Sequence, residues 1–142
     1  MRLGALLQVE DLVCLVGDLG AGKTTLVQGL AAGWGSLDQV SSPTFVLVNI
    51  YRRSDAVRLH HLDAYRLSGP AEATELDMDE MLTRGPMVIE WADRIEAALP
   101  EDRFLVTMKL VDETQRHFLV SAQGARYQAL LGDFRNQIFG VS

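Results

Sequence analysis

Residues 17 to 24 read GDLGAGKT, set between the apolar run DLVCLVG and the helix-like TLVQGLAAGW. Gly17, Gly22, Lys23 and Thr24 satisfy G-x-x-x-x-G-K-[ST], and the strand before and helix after are the context in which this pattern holds a phosphate. Glycines let the backbone curl so that successive N–H groups face phosphate oxygens, and the following helix adds its positive N-terminal end. Lys23, one of two lysines in the chain, supplies a point charge, while the Thr24 hydroxyl can reach magnesium. That ion takes one or two protein oxygens besides phosphate and water. An acid elsewhere in the chain is therefore expected beside Thr24.

Two strands are candidates to deliver it. MVIEW (87 to 91) is a continuous apolar run ending in an acid, the pattern of a strand buried on both faces of a parallel sheet. Its carboxylate, Glu90, should emerge at the C-terminal edge beside the phosphate loop, where open α/β sheets bind ligands. VRLHHLD (57 to 63) ends in Asp63, which either serves the site or caps the turn before Tyr65. His60 and His61 are adjacent, so on a strand they face opposite sides and cannot share a metal; packed or surface positions are expected for both.

The remaining pattern is that of an α/β domain. PTFVLVNIY (43 to 51) and VRLHHLD read as an antiparallel hairpin around the polar RRSDA. AEATELDMDEMLTR (71 to 84) reads as an acidic helix, ADRIEAAL as a helix stopped by Pro100, FLVTMKL and HFLVS as strands, and Tyr127, Leu130, Leu131 and Phe134 as the apolar stripe of a closing helix. The expected architecture is a three-layer sandwich like that of P-loop nucleotide hydrolases, with a mainly parallel central sheet and an antiparallel hairpin insertion at about 43–63. One domain should cover 1–142, a length at which about two thirds of the unfolded surface is buried.

Composition narrows the function. Hydrophobic residues make up 48% and charged residues 23%, and no window approaches the ~20 apolar residues of a membrane span. The N-terminus lacks a signal-peptide pattern, so a cytoplasmic location is expected. A net charge of −6 argues against a chain that grips nucleic acid by itself. Cys14 is the single cysteine, in an apolar run, and is read as a buried structural thiol. Trp34 is read as core; Trp91, next to Glu90, is equally compatible with core and nucleotide contact.

Taken in order, GDLGAGKTTLVQGL, SSPTFVLVNIY, HLDAYRL and VIEWADRI followed by LP resemble the bacterial TsaE family, formerly YjeE, over roughly residues 11 to 110. The resemblance implies a weak magnesium-dependent ATPase needed for N6-threonylcarbamoyladenosine in transfer RNA. Such a protein is not itself the carbamoyl transferase; it binds the TsaB and TsaD proteins in a nucleotide-dependent way and meets transfer RNA only through them. ATP and Mg2+ are the implied cofactors. Gly17, Asp18, Leu19, Gly20, Ala21, Gly22, Lys23, Thr24 and Thr25 would form the nucleotide loop, with Arg116 a further nucleotide contact. Thr24 and Glu90 would hold magnesium, Thr44 would be the switch residue near the terminal phosphate, and Asp63 would stand near the attacking water.

Two other readings compete. A small-molecule kinase would need an arginine-bearing lid, and no long insertion between the later strands supplies one. A nucleotide-gated scaffold of the guanine-nucleotide type would need Asn or Thr before Lys-x-Asp. Lys109, the one lysine outside the phosphate loop, stands instead in Met108-Lys109-Leu110-Val111.

Overall fold

The apolar run before the glycine loop forms β1 (Leu12–Gly17), in which Val13, Cys14 and Leu15 are all buried. A strand buried on both faces needs strands at its sides and layers above and below. The computed structural model, which describes residues 2–17, 22–40, 48–113 and 115–139, shows both. β4 (Met87–Glu90) and β5 (Arg103–Leu110) flank β1, each parallel to it. β3 (Arg58–Asp63) adds to β4 in parallel, and β2 (Val48–Arg52) pairs antiparallel with β3. β6 (Arg116–Gln123) pairs antiparallel with β5. The sheet order is therefore β2-β3-β4-β1-β5-β6, a mixed sheet whose inner strands are parallel.

The expected hairpin is present from Val48 onward but is no appendage, because β3 is an inner strand of the main sheet. Its first expected residues, 43–47, lie outside the described residues. The chain leaves β1 toward β4's side of the sheet and later crosses to β5 on the other side. The crevice at the carboxyl ends of β1, β4 and β5 is thus a topological switch point, the place where such sheets receive ligands.

α2 (Lys23–Trp34) buries Val27, Leu30, Ala31 and Trp34. It ends at Gly35, whose φ of 104° is left-handed. The N–H groups of Gly35 and Ser36 return to the carbonyls of Ala32 and Ala31, the double bond that closes a helix on a left-handed glycine. α1 (Arg2–Leu6), which periodicity alone did not announce, packs on α2 and on the closing helix α5 (Ala125–Phe139). A 3-10 segment, Ala92–Ala98, covers another surface: Ala92, Glu96 and Leu99 enclose a hollow of about 160 Å3 with Cys14, Val16 and Leu105.

Two helical expectations are corrected. The acidic segment is not one helix but α3 (Pro70–Ala73), a 3-10 turn (Thr74–Leu76) and α4 (Met78–Arg84). The break is at Asp77, whose φ of 54° is left-handed, a conformation short polar side chains tolerate better than most. Partly buried Leu76 and Met78 pack on the core on either side of it. The segment after β4 is 3-10 and loses helical geometry at Ile95, a fully buried residue. In both places packing overrides local helix propensity.

α5 is fastened at its first turn. Arg126 Nε and Nη2 donate to the two carboxylate oxygens of Asp11 at 2.9 and 2.6 Å. The Tyr127 hydroxyl accepts the Leu12 N–H at 2.9 Å. These three bonds tie the C-terminal helix to the start of β1.

Candidate functional site

Gly17 closes β1 under a tight constraint. A Cβ there would lie 2.2 Å from the Met108 carbonyl oxygen on β5, so only glycine lets the two strands approach and still turn away. Gly22, with φ 94°, stands at the start of α2, so the chain re-enters regular structure through a second left-handed glycine. Asp18, Leu19, Gly20 and Ala21, expected to wrap a phosphate, lie outside the described residues, as does Thr44.

Lys23 is buried at the first position of α2, and its Nζ donates to the Gly17 carbonyl at 3.0 Å. The same ammonium lies 4.0 Å from the centroid of the Trp91 ring, within range of a cation–π attraction. Trp91 has a left-handed φ of 58°, a sparsely populated conformation for a bulky residue that costs on the order of 1–3 kcal/mol and gathers at functional sites. Its ring meets that of Tyr65 at 5.0 Å between centroids, and the Arg94 guanidinium lies 4.9 Å from the centroid of the Tyr65 ring. The indole thus joins the loop lysine to the turn after β3, while also packing partly buried against the core.

Glu90, only 3% exposed, accepts the Thr24 hydroxyl on Oε1 at 3.3 Å. This brings together two of the expected site residues, 66 positions apart, from α2 and from β4. Sheet register explains the convergence, since Glu90 lies opposite Leu15 of β1 on one side and Asp63 of β3 on the other. Asp63 is half-buried at that edge, and its Oδ1 accepts the Tyr65 N–H at 3.0 Å. The turn-capping alternative is therefore real, and the same residue stands opposite Glu90 in the sheet register. Thr25 follows Thr24 on α2. Arg116 begins β6 opposite Leu110, at the same sheet edge but two strands from β1; its side chain lies outside the described set.

One neighbour of the candidate site was not singled out by sequence reasoning. The His61 Nε2 is 2.6 Å from Glu90 Oε2, and its Nδ1 is 2.8 Å from the Tyr51 hydroxyl. His60 faces the other way, as period two demands. It lines a hollow with Arg58, Leu76, Asp77, Glu80, Met81 and Arg84. Burial, helped by the charges of Arg58 and Arg84, lowers the pKa of His60. Cys14 is buried as expected, and burial pushes its thiol up to about 12.

The geometry suits a magnesium nucleotide: a glycine-bounded loop, a buried lysine, and a hydroxyl and carboxylate within 3.3 Å of each other. Comparison with known proteins adds the family. The model of the family "Threonylcarbamoyl adenosine biosynthesis protein TsaE" matches residues 1–118. The chain belongs to the TsaE family. Among curated TsaE proteins, that of Streptomyces coelicolor is 42% identical across 89% of each chain. That of Bacillus subtilis is 38% identical across 84% of this chain and 75% of its own. Both are described as tRNA threonylcarbamoyladenosine biosynthesis proteins. The crystal structure of Bacillus subtilis YdiB superposes with a TM-score of 0.77 at 31% identity, covering 96% of this chain and 84% of that one. The TsaE family match takes in the whole described site and stops short of α5. No helix among the described residues is long and apolar enough to cross a membrane.

Proposed function

We propose that this TsaE-family chain is a magnesium-dependent ATPase, slow by itself, that serves threonylcarbamoyladenosine formation in transfer RNA through nucleotide-dependent association with TsaB and TsaD. The observation that carries the reading is the meeting of Thr24 Oγ1 with Glu90 Oε1 beside the buried lysine of the glycine loop. A lone structural turn gives no reason to bury a carboxylate against a helix-start hydroxyl.

In this reading Gly17 to Thr25 hold the nucleotide phosphates, and Thr24 and Glu90 hold magnesium; bound there, the ion neutralises charge on the phosphate oxygens. Lys23, whose Nζ rests on the Gly17 carbonyl and the Trp91 face, supplies the cation at the loop. Asp63 has one oxygen engaged by the Tyr65 N–H, and the other, unengaged among the described residues, holds and orients a water. Thr44 acts as the switch residue and Arg116 as an outer nucleotide contact. The reaction takes place in the cytoplasm, with transfer RNA met through the partners.

The decisive experiment is a pull-down with purified TsaB and TsaD, with and without ATP. Retention that depends on ATP is expected, and failure in both conditions removes the partner claim. For the chemistry, Glu90→Gln should weaken the magnesium dependence of ATP binding more than Asp63→Asn does, while Asp63→Asn should slow hydrolysis with nucleotide still bound. The opposite pattern would exchange their roles, and rapid phosphorylation of a metabolite would favour a kinase.

A further inference from the structure

Glu90 is the end of a row. Tyr51 pairs with Leu59 across β2 and β3, which puts it diagonal to His61 on one face; His61 pairs with Val88 across β3 and β4, which puts it diagonal to Glu90 on that face. Diagonal neighbours are within reach of long side chains. The contacts follow: Tyr51 hydroxyl to His61 Nδ1 at 2.8 Å, His61 Nε2 to Glu90 Oε2 at 2.6 Å, and Thr24 hydroxyl to Glu90 Oε1 at 3.3 Å. One hydrogen arrangement satisfies every member. Nε2–H donates to the carboxylate, Nδ1 accepts from the tyrosine, and the threonine hydroxyl donates to the second oxygen.

The row is buried from end to end, with Tyr51 and Glu90 at 3% and His61 at 0% exposure. Networks of this kind are weak sources of stability, because apolar residues of similar volume often replace buried polar groups without loss. Their usual value is orientation: partners of metal-binding carboxylates fix the ligand, and losing one typically costs 10–100-fold in metal affinity. Because His61 occupies Oε2, the carboxylate is held with its other oxygen turned to Thr24.

The geometry points to Tyr51 and His61 as positioning residues for the magnesium side of the site, an arm that reserves one oxygen of Glu90 and presents the other beside the Thr24 hydroxyl. This rests on the reading of Thr24 and Glu90 as the magnesium side. His61 touches neither nucleotide nor metal; it acts through Glu90. Tyr51 acts one step further back, by holding the imidazole in the tautomer whose Nε2 carries the proton.

The test is equilibrium binding of a fluorescent ATP analogue to the full chain, in EDTA and across a magnesium titration, with ligand-free thermal melting alongside. His61→Leu should raise the magnesium concentration for half-maximal enhancement by on the order of tenfold to a hundredfold and leave binding in EDTA as tight as in wild type. Tyr51→Phe should raise it by a smaller factor. His61→Gln, which keeps an N–H donor, should recover most of the loss whatever its melting temperature. Wild-type magnesium half-saturation in His61→Leu and Tyr51→Phe would overturn the proposal, as would equal weakening with and without magnesium, the mark of a merely structural role. If His61→Leu does not fold, Tyr51→Phe decides in the same way. The two readings separate cleanly, since ATP binding by wild type that ignores magnesium sinks both, whereas magnesium-dependent wild-type binding with unaffected variants sinks only the positioning arm.

Discussion

Replacing Arg126 with alanine should destabilise the chain by about 2–3 kcal/mol, although Arg126 lies outside the family match and far from the glycine loop in sequence. The magnitude follows from the carboxylate it leaves behind. Asp11 has a side chain only 3% exposed and takes three hydrogen bonds, two from Arg126 at 2.9 and 2.6 Å and one from the Gln8 N–H at 2.7 Å. Removing one partner of a buried pair costs about 3–5 kcal/mol, because the other charge stays buried without compensation. Two features reduce that here: the Gln8 N–H remains, and the Arg126 side chain is 36% exposed, so water can enter the gap. The loss of the Arg126 bond to the Leu6 carbonyl at 3.1 Å adds little by comparison, about 1 kcal/mol at most. Urea unfolding followed by far-ultraviolet circular dichroism, without nucleotide, measures the difference, and the denaturant slope should stay constant. Asp11→Asn combined with Arg126→Ala should lose less than the sum of the single changes, since the double variant has no stranded charge. A single-variant loss below about 0.5 kcal/mol, the size of an exposed ion pair, would refute the reasoning and show that Asp11 is hydrated.

Three further outcomes follow from other sites. Gly17→Ala should lose both thermal stability and ATP binding, because its Cβ would meet the Met108 carbonyl at 2.2 Å with a φ of 154°; a variant that melts and binds like wild type would contradict the close approach of β1 and β5. His60 has its pKa lowered from 6.5 by burial and by Arg58 and Arg84, so the unfolded chain takes up the proton first, and the stability this residue contributes is intact above that pH and lost as pH falls below it. His60→Leu should flatten that part of the urea-midpoint profile, and an identical slope in variant and wild type would oppose it. Cys14, buried and with its thiol pushed up to about 12, should react with a disulfide reagent only as the chain unfolds, so rapid stoichiometric labelling of the native protein would contradict its burial.

The parts of the fold that were legible in the sequence are those whose residue pattern is dictated locally. β1 and β4 are continuous apolar runs because each is buried on both faces. Of the two glycines expected to stop α2, Gly33 and Gly35, Gly33 stays within the helix and Gly35 ends it, because a left-handed residue must stand there. The broken helix between Pro70 and Arg84 was illegible for the opposite reason. Its residues favour helix individually, and what interrupts it at Asp77 is the packing of Leu76 and Met78 on a core built from distant strands. α1 was equally hidden: five residues are too few to show a period, and its burial depends on α2 and α5.

The site divides along the same line. Gly17, Lys23 and Thr24 could be named from one stretch because their spacing is the chemistry, and Glu90 because a strand ending in an acid delivers it to the sheet edge. His61 could not, since period two shows only that it faces away from His60 and says nothing about which strand lies alongside. Once β3 is known to run parallel to β4 with Asp63 opposite Glu90, the position of His61 two residues earlier puts its ring on the carboxylate's face. The information was therefore present as a register, and it became readable only when strand order was known. That explains why the residues proposed to bind phosphate were legible before the one proposed to aim the metal ligand: the first are encoded along the chain, the second across it.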